Sequence, residues 1–182
     1  MQRIHRRGDI PASMRKGVVL NGINLEPVLY REAMSRYAGH VQIVTTALGD
    51  MRRGVTITAA CSVSDNPPMV LACLNRTNPH NAIFFESGCF ALNTMAHDRV
   101  DLADAFSGRS GLDSEARFAM AAWKTLATGA PVLEDALVSF DCRTVEMKET
   151  STHMVLFGLV EAIHFGERRE SLIYLDRAYH GL

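Results

Sequence analysis

Residues 55–74 read VTITAACSVSDNPPMVLACL: a strand-like run, a double proline and a second strand-like run. The first half is rich in the β-branched residues Val55, Thr56, Ile57 and Thr58, which suit a pleated, half-buried surface. Asp65-Asn66-Pro67-Pro68 has to break whatever precedes it, because Pro67 restricts Asn66 and neither proline can donate to a ladder. The apolar run at 69–74 is of strand length and reads as a central strand.

Upstream, residues 41–47 (VQIVTTA), a turn at Leu48-Gly49-Asp50 and residues 52–63 (RRGVTITAACSV) read together as a hairpin. Before it, Asn24 can cap a helix with the apolar face Leu25, Leu29, Ala33 and Tyr37, Glu26 in the first turn and Gly39 past the end. Downstream, residues 80–86 suggest a helical turn, 89–95 (CFALNTM) a strand, and 97–108 a helix stopped by Gly108, while 108–118 reads as loop. Ala136, Val138, Phe140 and Cys142 alternate with polar Ser139 and Asp141, the period-2 signature of a strand with a polar outer face. Residues 152–165 and 171–182 complete a strand-rich end. Many short strands with a few interposed helices favour a mainly β fold, an antiparallel barrel, over a parallel α/β sheet.

A chain of 182 residues supports one domain with a full core. We divide it into a basic, disordered N-terminal arm, residues 1–23, and a domain over 24–182. Residues 1–20 hold five basic residues against one acidic, which leaves 14 against 19 for the rest. The domain is mildly acidic, which argues against nucleic acid as a partner. No apolar run has membrane-spanning length. The basic start has no apolar stretch behind it to serve as a secretory signal, so the expected location is the cytoplasm. Cys61, Cys73, Cys89 and Cys142 lie far apart in strand-like segments without a C-x-x-C pair; we read them as reduced core thiols. The seven histidines are scattered singly, so no metal is expected from their spacing. Dinucleotide-fold, P-loop, zinc-protease and hydrolase motifs are all lacking.

Three segments can carry chemistry. Along residues 56–62, Thr56, Thr58, Ala60 and Ser62 share a face if the strand is regular. Such small side chains let a flat ring such as isoalloxazine approach the backbone, although spacing alone favours a polar outer face. Asn75-Arg76-Thr77 closes the apolar strand; Arg76 can fork onto a phosphate, or the segment is a surface turn. Ser107-Gly108-Arg109-Ser110-Gly111 offers amides, hydroxyls and a cation to an anion, or serves as a flexible helix exit. His153, near a strand start, is a lone imidazole of the kind that is more often solvated or structural.

The order of these segments resembles the flavin reductase-like family, which includes the reductase components of two-component flavin monooxygenases. The resemblance runs from about Tyr30 to Leu182 and is carried by YREAMSRYAGHVQIVTT, GVTITAACSVSDNPPMVLACLNR, FALNTMA, ARFAMAAWKT, TGAPVLEDALVSFDCR, HMVLFGLVEAIH and YLDRAYHGL. CSVSDNPP, ALVSFDCR and DRAYHGL are especially close to its pyrimidine-utilisation branch. The resemblance implies a split β-barrel, Greek-key-like, paired as a homodimer, that binds FMN or FAD and takes NADH or NADPH as hydride donor. It places Thr56, Ile57, Thr58 and Ala59 along the flavin and its phosphate side, and Cys73, Leu74 and Asn75 beside ring and ribityl with Arg76 close by. Ser107, Gly108, Arg117 and Phe118 fall in an outer wall, and His153 and Tyr179 beside the nicotinamide. Many relatives carry a serine pair at Thr58-Ala59 and Gly-Asp at Ser151-Thr152. The reduced flavin would serve a partner monooxygenase; a corrinoid reductase and a flavin-binding module without turnover are the alternatives.

Overall fold

The computed structural model describes residues 26–182; the basic arm and the cap expected at Asn24 lie outside them. In chain order the elements are α1 (Pro27–Ser35), β1 (Gly39–His40), β2 (Gln42–Leu48), β3 (Met51–Ile57), β4 (Ala60–Asp65), β5 (Pro68–Asn75), α2 (Ala82–Glu86) and β6 (Cys89–Thr94). Then follow α3 (Val100–Phe106), α4 (Ser114–Phe118), β7 (Trp123–Lys124), β8 (Val132–Leu133), β9 (Val138–Glu149), β10 (His153–Phe165), β11 (Leu172–Leu175) and β12 (Ala178–Gly181). The fold is mainly β, as the sequence indicates. No helix among the described residues is long and apolar enough to cross a membrane.

Seven antiparallel strands form the main sheet in the order β3-β2-β6-β9-β10-β5-β4, beside a small sheet β1-β11-β12 and the ribbon β7-β8. The hairpin expected after β2 forms, with Gly49 at φ +58° in its turn, where a side chain would be strained. Its second strand is shorter than expected. Residues 52–63 are not one strand: the chain leaves β3 at Thr58-Ala59, and β4 pairs with β5 at the other end of the strand order. Two edge strands joined by two residues require the sheet to coil until its ends approach. Thr56 and Thr58 therefore do not share one regular strand face with Ala60 and Ser62.

Apolar residues of β2, β5, β6 and β10 fill the coiled sheet, with Val44, Leu74, Phe84, Phe90, Leu92 and Leu156 at its centre. A second core lies outside, under α3 and α4, where Phe106, Phe118 and Trp123 meet edge to face at centroid distances of 4.9–5.7 Å. Each fully buried ring there contributes about 2–3 kcal/mol through apolar burial. Gly54 lets α3 approach, because a Cβ on it would collide with the Phe106 ring.

Four further sequence expectations change. Residues 108–118 are not all loop: the Asp113 carboxylate accepts from the Ala116 amide at 2.8 Å and starts α4. The supposed outer face of β9 is interior, with Ser139 and Asp141 fully buried, because the segment 124–133 folds over it. α1 buries no residue, and Tyr37 is exposed. Of the four cysteines only Cys89 and Cys142 are core; Cys73 is half-buried and Cys61 is exposed on β4.

Candidate functional site

The proline turn and the coiling of the sheet bring the β3–β4 junction against the end of β5. The Cys73 amide donates to the Ala59 carbonyl at 2.9 Å, and His153 on β10 stands opposite Asn75 on β5. Thr58, Ala59, Cys73, Asn75, Arg76 and His153 thus share one rim. All are exposed except Cys73, whose thiol is pushed up by burial and by nearby Cys61.

Part of this rim is already engaged. Asn75 Oδ1 accepts from the Thr77 amide and hydroxyl at 2.9 and 2.8 Å, an Asx turn. Arg76 Nε donates to the Thr150 carbonyl at 3.0 Å, and its Nη2 pairs with Glu149 at 2.6 Å. The exposed His153 ring lies 2.9 Å from Thr152 Oγ1 through Nδ1. Leu74 is 1% exposed, so only its backbone reaches the rim.

A second group sits beyond Thr58, which packs against Gly39. Gly39 pairs with Tyr174, and Tyr174 meets Tyr179 at 5.4 Å. The Tyr179 hydroxyl donates to Asp104 at 3.1 Å; burial, then that bond, push it up to about 12. Ser107 and Gly108 end α3 exposed, the latter at φ +84°, and Arg109 faces Asp104 at 3.7 Å. Thr56 donates to the Ala103 carbonyl of α3 at 2.6 Å, so its hydroxyl serves the scaffold; Ile57 beside it packs on the inner core. Tyr179 therefore belongs to the α3 side, and no hydrogen bond or ring contact joins it to His153. Phe118 is buried in the aromatic cluster, where it supports a wall from behind, and Arg117 lies next to it on α4.

Sequence reasoning missed Arg53 and Asn81. Arg53 Nε and Nη2 donate to Asn81 Oδ1 at 3.3 and 3.2 Å, and Asn81 Nδ2 donates to the Asn75 carbonyl at 2.9 Å. The signal available was an arginine within a strand and an asparagine within a mostly apolar turn. A groove of about 670 Å³ lies elsewhere, among Glu134, Asp135, Phe165 and Arg169, and carries none of the residues above.

Residues 34–182 match the family described as flavin reductase like domain. The chain belongs to this flavin reductase-like family. Among relatives of the flavin reductase-like domain, a Variovorax paradoxus (strain S110) protein named FMN reductase (NADH) RutF is 45% identical over 151 residues, 83% of each chain. A Stutzerimonas stutzeri (strain A1501) protein of the same name is 42% identical over 84% of this chain and 87% of its own. Among solved structures, the flavin reductase PheA2 superposes with TM-score 0.78 at 28% identity, covering 87% of this chain and 99% of its own. BorF, the flavin reductase component of a bacterial two-component tryptophan halogenase, gives TM-score 0.79 at 26% identity over 86% and 98%.

Proposed function

We propose that this flavin reductase-like protein is a cytoplasmic NADH-dependent oxidoreductase that reduces FMN and hands the reduced flavin to a partner monooxygenase. The observation that carries the reading is the 45% identity, over 83% of both chains, to a protein named FMN reductase (NADH). The rim fits a flat, polar-edged ring. Thr58 and Ala59 expose a small-side-chain stretch of backbone beside half-buried Cys73, without a bulky group on it.

When bound, FMN supplies the acceptor for the hydride that NADH gives up. The chain's residues bind and orient. Thr58 and Ala59 would take the ring edge, Asn75 would flank the ribityl side, and Ser107 and Gly108 would border the outer wall. His153 would present Nε2 to the nicotinamide carboxamide. None of these groups needs to gain or lose a proton during transfer.

The rim is open on a single chain, and a second copy is the natural cover. α1 and the turn after it leave Val28, Tyr30, Met34 and Tyr37 exposed at 43–71%, and the outer end of the β9–β10 hairpin adds Val145 and Met147. This supports a split-barrel homodimer whose site is completed across the pair.

The deciding experiment mixes purified protein with NADH and FMN, then FAD, and follows NADH absorbance. Rapid NADH loss that depends on both protein and flavin is expected. Tight flavin binding with no NADH consumption would instead make the protein a binding module.

A further inference from the structure

A strand edge without a neighbour offers amides and carbonyls to another chain, and folded proteins either guard such an edge or use it. The outer half of β9 is one. Its inner half lies between β6 and β10, with Cys89 of β6 opposite Arg143, and the Thr144 amide still reaches the Gly88 carbonyl at 2.9 Å. From there to Glu149 the strand pairs with β10 alone. Among the described residues the backbone of 145–149 makes no hydrogen bond outside that ladder, and every one of these residues is exposed.

The residues along the edge say what fits it. Glu146 stands opposite Phe157, Met147 opposite Leu156 and Lys148 opposite Val155, so Glu146 and Lys148 share one face and Met147 the other. Glu149 is held by Arg76 and Arg143 by Glu161. Glu146 and Lys148 form no ion pair among the described residues. Val145 is the extra residue of a β-bulge and has no single partner on β10, so the straight part of the edge begins at Glu146.

An edge that only had to repel other strands would carry charges of one sign. Here the signs are opposite, two residues apart, about a central methionine. If a second copy pairs antiparallel on a two-fold axis through Met147, Glu146 of each copy falls opposite Lys148 of the other, and opposite charges in that position stabilise a strand pair. Moving the axis by one residue either way sets two glutamates or two lysines face to face, which is unfavourable. The ladder is short and sets the register; Val145 and Met147, 45% and 46% exposed, add apolar surface beside it.

We infer that the outer half of β9 is a contact between two copies of this chain, paired antiparallel about Met147 with Glu146 facing the partner's Lys148. This inference rests on the homodimer reading above and names the strand and register through which the pair is made. Because Glu149 is the partner of Arg76, the contact lies beside the candidate rim.

Full-length protein is followed by analytical ultracentrifugation over a dilution series, and Met147→Cys is run on non-reducing gels after mild oxidation. Met147→Cys is expected to cross-link into a dimer that the wild type, with its native cysteines, does not form. Glu146→Lys and Lys148→Glu should each weaken dimerisation about tenfold. The double variant, and an equimolar mixture of the two single variants, should regain the wild-type affinity, which misfolded chains could not do. Unchanged affinity in both single variants, or no cross-link at position 147, would overturn the assignment and leave the homodimer to another face. Weakened single variants without rescue would overturn it as well, since Glu146 and Lys148 would then not face each other. A wild type that stays monomeric at every concentration while reducing FMN would bring down the homodimer reading itself, and this inference with it.

Discussion

Asn93 on β6 and Asp141 on β9 are sealed and hydrogen-bonded, whereas at the rim formed by the ends of β3, β5 and β10 polar side chains face solvent. Asn93, fully buried, donates to the Ile43 carbonyl and accepts from the Leu133 amide, both at 2.9 Å. Asp141, equally buried, accepts from the Thr128 amide at 2.9 Å and from its hydroxyl. These bonds fasten the segment that carries β7 and β8 over the sheet. The rim has no such seal: Thr58, Ala59, Asn75 and His153 are exposed. Amide and carboxylate side chains thus serve as scaffold where they are buried and bonded across the seam, and as recognition surface where they face solvent.

The contrast breaks most visibly at Asp141. Asp141→Ala removes a fully buried acceptor and both of its bonds to half-buried Thr128, and should cost about 2–4 kcal/mol, read as a lower urea midpoint. A loss near that of an exposed substitution would mean that the β9 seam is not the scaffold.

Cys142 sharpens the comparison by pH. Burial pushes its thiol from 9.0 up to about 12, so the fold favours the neutral form. The stability this gives is fully present below about pH 9 and is lost as pH rises toward 12, because the unfolded chain releases that proton first. Urea midpoints measured across this window should fall, and Cys142→Ala should flatten the decline; an unchanged slope would show that the thiol is not sealed.

The smallest effect is expected at the rim. His153→Ala should raise the KM for NADH by the equivalent of about 1–2 kcal/mol, leave FMN affinity unaltered and barely move the urea midpoint. Unaltered NADH kinetics would return His153 to a structural role.

Much of the fold was legible because period-2 patterning and turn residues are local. The hairpin at Gly49, the break at Pro67-Pro68 and the helix stop at Gly108 all follow from backbone rules. What escaped depends on partners distant in sequence. Nothing within residues 52–63 shows that β4 will pair with β5 instead of extending β3, and the alternation at 136–142 cannot show that segment 124–133 covers its polar face. The candidate rim divides in the same way. Strand ends at Asn75 and His153 could be placed, but the engagement of Thr56 by Ala103, and the pairing of Arg53 with Asn81, come from helices folded back on the sheet.

The account centres on the exposed backbone at Thr58-Ala59 as the seat of the flavin. Ala59→Trp fills that seat while keeping the Ala59 carbonyl bond to Cys73, which any L-residue can make. FMN titration and urea unfolding of this variant test the claim directly. We expect FMN affinity to fall by about a hundredfold or more, roughly 3 kcal/mol, with the unfolding midpoint shifted by only about 0.5 kcal/mol. A stable Ala59→Trp protein that binds FMN and oxidises NADH as the wild type does would contradict it.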